Sequence, residues 1–542
     1  MTRDYPEKTT PQINKERRQG MTLRNTLALP SRAVLLGSAF VMAGLPAMAG
    51  GDLIWARYGD IDSLDPHRAT STLSMQVWDQ IYDTLLAFED DGSAVPNLAA
   101  SWEVSDDGLS YTFALQEGVL CHDGTPFGAE DVKFTIDRAF GDNPSLTRTS
   151  WGPIERVEVV DDLTVTVTLE STFGAFLPFL ADSFSSIVCA SNAEAEGFGT
   201  RSAIGTGPFK LVSWVQGDEV VLERNDDYRN FGKPVENAGP VHLDRLIVRT
   251  IPEPQTRLAA LRTGEAHIAE PPFDDIPDIQ AGDELDLVVA ENTGQNVFWQ
   301  YTVSRAPFDD IRARQAVAHA TDPEMAIEIV YGGTNQREWC PIAAGVFGND
   351  QEFCAQYGYP YDPDRARELL AEMGYGPANP LETTMYVWTG GNRHILAEIF
   401  QAQLADVGIR ASIEIMDIGT MNARVREDNE RTGTDAPGTF NMMTWGWYDP
   451  DILFALWHQG GAYSGYQSDE LDAMLELTRE LTDEDARLEA VQDVIRYLME
   501  NAIHVGLYTP GWEWIFAVRP EVEGFKVGTF LHPMFQDVRL TD

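Results

Sequence analysis

The segment Trp445-Gly446-Trp447-Tyr448-Asp449-Pro450-Asp451 sets three aromatic rings and two carboxylates around one proline turn. Rings of that kind hold flat, partly polar solutes, and a few polar groups fix the orientation. Trp445 or Trp447 is the ring expected to pack on a guest, with Tyr448 and Asp449 beside it. The plainer account of these residues is a core strand that ends in a turn. A second candidate is Trp388-Thr389-Gly390-Gly391-Asn392-Arg393, which opens a predicted helix. Free backbone N–H groups and the Arg393 guanidinium there suit an anionic group. Ordinary capping of helix 393–407 is the alternative. Trp512 and Trp514 are expected in the core, and His458 is a surface or core residue.

Catalytic chemistry finds little support. Asp449 and Asp451 would be the acids of a secreted hydrolase, which needs two carboxylates facing each other across about 5–9 Å. Two acids one residue apart around a proline do not present that geometry. The 9 histidines show no HxH or HExxH spacing, and no CxxC or GxSxG string occurs. No cofactor or metal site is therefore expected. Gly205-Thr206-Gly207-Pro208 lacks the Lys-Ser/Thr ending of a phosphate loop, and Pro208 removes a donor. Cys340 and Cys354 bracket a loop rich in Gly and Pro and are spaced to close as a disulfide in an oxidising compartment. Cys121 and Cys189 either pair or stand as buried thiols.

A balance of 39 basic against 85 acidic residues, a net charge of −46, excludes nucleic acid as a partner. It fits a need for solubility, as in a salty habitat. At 542 residues the chain is too long for one compact core, so at least two lobes are expected. The N-terminus reads as a secretory signal covering residues 1–49: Arg24 and Arg32 flank the apolar run Ala33 to Leu45, and Ala47-Met48-Ala49 offers a cleavage site. Residues 1–20 read as an unused upstream start, with Met21 the better one. The run is shorter than the roughly 20 residues a membrane span needs. The first cysteine is Cys121, which argues against a lipid anchor and for a soluble periplasmic protein.

The positioning elements are mixed α/β. Asp52 to Tyr58, Ser110 to Leu115, Leu163 to Leu169, Thr384 to Val387 and Ala411 to Ile415 read as strands, and 74–86 as a helix. Asp362-Pro363 starts a helix that Gly374 stops, and Thr482 with Asp485 forms a capping box before another.

Four stretches are similar to the extracellular solute-binding proteins of family 5, which serve peptide and nickel importers of the ABC type. They are Tyr58 to Pro66 with YDTLL; LAASWEVSDDGLSYTFAL with HDGTPF; IGTGPFKLVSW with VVLERNDDY; and Asp309 to Ala326 with LLAEMGY, LADVGI and SGYQSDELDAML. The resemblance covers Gly51 to Asp542. It implies a two-lobed periplasmic-binding-protein fold of type II, α/β, with an extra strand-rich subdomain in lobe I. By analogy lobe I comprises 50–85, 204–292 and 508–542, the inserted subdomain 86–203, and lobe II 293–507. On the same analogy Tyr58 lines lobe I, while Asn296 and Trp299 lie where the first hinge enters lobe II, with hinge packing the alternative for Trp299. Peptide-binding members carry an aspartate three residues after the tryptophan, for the peptide's α-ammonium. Here that position is Tyr448, leaving Asp449 as a substitute and weakening a peptide reading. The implied function is a monomeric, non-catalytic receptor. It hands a small peptide, a sugar or an opine-like solute to ABC permease subunits in the inner membrane. A chemoreceptor accessory or chaperone-like role would share the fold.

Overall fold

Among the described residues, the chain passes between its two large β-sheets only twice. The computed structural model describes residues 50–541 except 70, 90–91, 142–144, 146, 194, 291–292, 333–334, 390–391, 431–436, 460–464 and 512–513. The signal segment, Asp90-Asp91, Gly390-Gly391 and Trp512 fall outside the described residues. One sheet has seven strands, in the order Asp286–Val289, Ile515–Val518, Ile268–Ala269, Asp52–Arg57, Arg245–Thr250, Glu219–Arg224 and Phe209–Val215. The other has six: Gln336–Arg337, His504–Thr509, Gln295–Tyr301, Thr439–Gly446, Leu381–Trp388 and Ile409–Met416. We call the residues before the first crossing and after the second lobe I, and those between them lobe II.

The two crossings run side by side. Asp286–Val289 pairs antiparallel with Ile515–Val518 in one sheet, and Gln295–Tyr301 pairs antiparallel with His504–Thr509 in the other. The Ala290 N–H donates to the Trp514 carbonyl (3.2 Å) between them, and Trp514 Nε1 donates to Gln295 Oε1 (3.1 Å). A pair of short, adjacent antiparallel connections is the geometry of a hinge, since few backbone angles must change for the bodies to swing.

Lobe I carries a separate four-stranded antiparallel sheet, Ala99–Val104, Ser110–Leu115, Thr164–Leu169 and Ile154–Asp161. The threonine-valine alternation of Thr164–Leu169 puts Val165 and Val167 in the core. Disulfide Cys121–Cys189 ties the loop after strand Ser110–Leu115 to the segment after helix Phe176–Phe179. The helix expected over 74–86 is shorter, Thr72–Trp78, capped by the Ser71 side chain. Helix Pro363–Glu372 begins at its Asp362 cap as read, whereas helix Glu484–Glu500 is capped by Asp483, not Thr482. An aspartate accepts the N3 amide as well as a threonine does, and here it sits one residue closer to the first turn.

Candidate ligand cleft

Strand Thr439–Gly446 ends where the sequence turns aromatic, and its continuation projects from lobe II onto lobe I. Trp447 stacks on Phe184 with ring centroids 5.6 Å apart and planes 10° from parallel. Tyr448 packs against Phe88 (5.7 Å), Phe179 (6.3 Å) and Phe530 (6.5 Å), and is buried by them. Every one of those phenylalanines belongs to lobe I, so the two lobes meet through an aromatic seam. Such rings contribute both buried area and oriented contacts, about 0.5–1.5 kcal/mol per pair beyond area alone.

The acids of this segment do not face a guest. Asp449 is 1 % exposed and receives a two-pronged bond from Arg487, with Nη2 to Oδ1 at 2.6 Å and Nη1 to Oδ2 at 2.9 Å. Its Oδ1 also accepts from the Asp451 N–H at 2.8 Å. Asp451 is held by Arg479 at 2.6 and 3.0 Å. Asp449 therefore cannot take the place of an ammonium acceptor: both its oxygens are occupied, and it serves to shape the turn that presents Trp447 and Tyr448.

Behind the seam in lobe II lies a small apolar pocket, lined by Trp445, Trp447, Ile342, Ala343, Val346 and Leu456 among others. Asn296 stands opposite Trp445 in the strand register and lines the same pocket. Its amide donates to the Cys340 carbonyl at 3.0 Å. Cys340 is disulfide-bonded to Cys354, so the loop supplying Ile342, Ala343 and Val346 is closed covalently and pinned at its root.

Trp299 is a different case. It is fully buried in the lobe II core, edge-on to Phe400 and Phe440 (5.2 Å each), with Nε1 donating to Thr321 Oγ1 at 3.2 Å. It leaves the set of ligand-facing candidates, because its strand points Val297, Trp299 and Tyr301 to the core face. Trp388 and Arg393 come together, the guanidinium 4.2 Å from the ring centroid, with Arg393 fully buried. That stacking on an indole replaces the exposed anion clamp read from the sequence. Tyr58 is 45 % exposed at the end of strand Asp52–Arg57, beside the buried Arg57 and the half-buried Glu270.

On the lobe I side of the seam a cavity of about 60 Å³ opens, with Phe88, Ser183, Asp79, Gln80, Asp83, Lys233 and His532 on its walls. Phe88 is shared between cavity and seam. Lys233 Nζ lies 2.8 Å from Asp83 Oδ1, and His532 Nδ1 lies 3.0 Å from Asp79 Oδ2. Ser183 Oγ donates to Asp79 Oδ1. Burial would lower His532, but the Asp79 carboxylate outweighs it and holds the imidazole above its ordinary value. Next to Ser183, burial and the Asp79 charge push Asp182 up to about 7. These residues were missed in the sequence. The available signal was the run Gln76, Asp79, Gln80, Asp83, which repeats at helical spacing through an otherwise apolar segment.

Residues 93–464 match the family of bacterial extracellular solute-binding proteins, family 5 Middle. The glutathione-binding protein GsiB of Pectobacterium atrosepticum is 34% identical over 401 residues, covering 72% of this chain and 74% of that protein. The periplasmic binding protein DppA of Helicobacter pylori, solved with peptide STSA, is 26% identical with a TM-score of 0.74, covering 91% of this chain and 98% of that one. AgaA from A. tumefaciens R10, solved with agropinic acid, is 26% identical with a TM-score of 0.73, covering 91% and 99%. The chain belongs to the family 5 solute-binding proteins. It is a substrate-binding protein of the ABC-importer class with a two-lobed fold, and it is not an enzyme.

Proposed function

We propose that this chain captures a small peptide or a similar polar solute between its lobes in the periplasm and delivers it to permease subunits in the inner membrane. The observation that carries this reading is the polar cavity of lobe I set against the aromatic segment of lobe II, with Phe88 shared between them. A ligand that fills this cavity and reaches past Phe88 to the aromatic segment would touch both bodies and so favour the closed arrangement, which is how a receptor converts binding into a shape a permease can recognise. The relatives support the ligand class: GsiB binds glutathione, and DppA was solved with a tetrapeptide. An opine-like ligand is the second reading, favoured by AgaA with agropinic acid at the same identity as DppA. Export through the segment ending at Ala49 and action as a monomer complete the proposal.

Mass spectrometry of solute released from protein purified under native conditions tests it. Peptide masses at one per chain support the first reading, and an opine the second. A sugar, or a solute converted to product during incubation, would contradict both.

A further inference from the structure

The lobes meet at a second place besides the aromatic seam. After strand Thr164–Leu169 of the four-stranded sheet, lobe I runs through Thr172, Phe173 and Gly174 against the C-terminal end of the lobe II helix Asp469–Glu480. We propose that this segment is a latch, which holds lobe II shut by contacts outside both cavities and so sets how often the empty receptor samples its closed arrangement. The inference rests on the receptor reading above and goes beyond it, giving the strand-rich subdomain a role in closure.

A helix leaves its last four carbonyls without partners of its own. Here lobe II supplies donors to two of them: the Leu481 N–H to the Leu477 carbonyl at 3.2 Å, and Arg487 Nε to the Thr478 carbonyl at 3.0 Å. The other two are met from lobe I. The Gly174 N–H donates to the Arg479 carbonyl and the Thr172 hydroxyl to the Glu480 carbonyl, both at 2.7 Å. The Arg479 side chain adds to the contact, with Nη2 donating to the Thr149 carbonyl at 3.4 Å and the guanidinium 5.1 Å from the Phe173 ring centroid. The approach is close. A Cβ on Gly174 would stand 2.2 Å from the Leu481 carbonyl oxygen and 2.9 Å from Arg487 Nε, and its three nearest neighbours beyond the adjoining residues all belong to lobe II. Gly174 is not in the left-handed region, so it is the other lobe, rather than its own backbone, that requires a glycine there. The latch is also joined to the binding face: Arg479 and Arg487 hold Asp451 and Asp449, which shape the turn presenting Trp447 and Tyr448. Thr149, Thr172, Gly174, Arg479 and Glu480 line neither cavity. Closure therefore gains these contacts with or without a solute, and a bias toward the closed form raises the apparent affinity for any solute that needs it.

The test compares the full mature chain, freed of solute by partial unfolding and refolding, with Gly174→Ala and Thr172→Val, each shown to keep a cooperative melting transition. Two readouts need no ligand: the radius of gyration from small-angle X-ray scattering, and hydrogen exchange at the residue 174 amide. Gly174→Ala, whose methyl group blocks the approach, should enlarge the radius and speed that exchange by about tenfold or more. Thr172→Val loses one hydroxyl bond and should speed it about threefold. A pool of di- to pentapeptides should compact the wild type at a lower concentration than Gly174→Ala. A solute-free Gly174→Ala protein whose scattering and exchange match the wild type overturns the latch and leaves the receptor reading in place. A pool that compacts neither protein counts against the peptide reading alone, because the comparison of solute-free proteins still decides the latch. Should Gly174→Ala fail to fold, Thr172→Val decides by exchange, and an unchanged rate overturns the proposal.

Discussion

His504 and His532, with one pair of buried aspartates beside each lobe's aromatic seam, are held in opposite ways. In lobe II, Asp449 and Asp451 are locked by arginines, and His504 lies stacked on Phe298 with centroids 3.7 Å apart. Burial pushes that imidazole down to about 3, so it stays neutral. In lobe I, Asp79 and Asp83 pair with His532 and Lys233 around a cavity, and His532 is held above its ordinary range by Asp79. Lobe II thus neutralises its interior and presents rings. Lobe I sets its charged pairs along the wall of a cavity. The same residue types take opposite roles because their partners differ, and no feature local to an Asp or a His says which role it has.

The largest effect that sharpens this contrast should come from Arg487→Met. It strands the Asp449 carboxylate in a dry turn, and removal of one member of a buried pair costs about 3–5 kcal/mol. A lower denaturant midpoint is the readout. Asp79→Asn, at the cavity-wall pair of lobe I, keeps a neutral acceptor beside Ser183 and should cost clearly less stability; equal losses would erase the distinction between the two lobes' pairs. Next, replacing both Cys340 and Cys354 by serine releases the loop that walls the lobe II pocket. For a separation of 14 residues the loss is about 3 kcal/mol. Weaker ligand binding measured by calorimetry should accompany it, and unchanged affinity would mean that loop does not shape the site.

The histidines give a pH signature of opposite sign. His504 is neutral when folded, while the unfolded chain takes up its proton below about pH 6.5. Its burial therefore favours folding above that pH and costs stability as pH falls, about 2 kcal/mol at pH 5. His504→Phe should flatten the acid side of the stability profile. His532, raised in the folded state, contributes stability that is complete below about pH 6.5 and lost as pH rises through its folded value. His532→Gln should flatten the profile on the alkaline side instead. Both variants moving the same limb would contradict the division between lobes. The smallest effect expected is on binding alone: Trp447→Ala removes the ring stacked on Phe184 and should weaken ligand binding by more than ~1 kcal/mol with the fold intact. Calorimetry that finds the affinity unmoved would place the ligand elsewhere.

Much of the fold was legible because it is written at short range. The threonine-valine alternation of Thr164–Leu169 and the Asp362-Pro363 helix start each depend on neighbours within a few residues. The site was legible only as a place. The aromatic segment was found, but its acids were misread because Arg479 and Arg487 arrive from helices 28 and 38 residues further along the chain. Trp299 could have been assigned from its own strand: Val297 and Tyr301 share its face, while Asn296 and Gln300 point the other way. The lobe I cavity joins residues 79–83, 183, 233 and 532, and only the folded chain brings those together.

A bound solute should draw lobe II onto lobe I through the Trp447 and Tyr448 seam. Small-angle X-ray scattering of protein stripped of ligand by partial unfolding and refolding, then recorded again after the released solute is returned, tests this most directly. A radius of gyration that is larger in the stripped protein and contracts at one solute per chain is the predicted result. Superimposable curves in the two states, with binding verified by calorimetry, would contradict it.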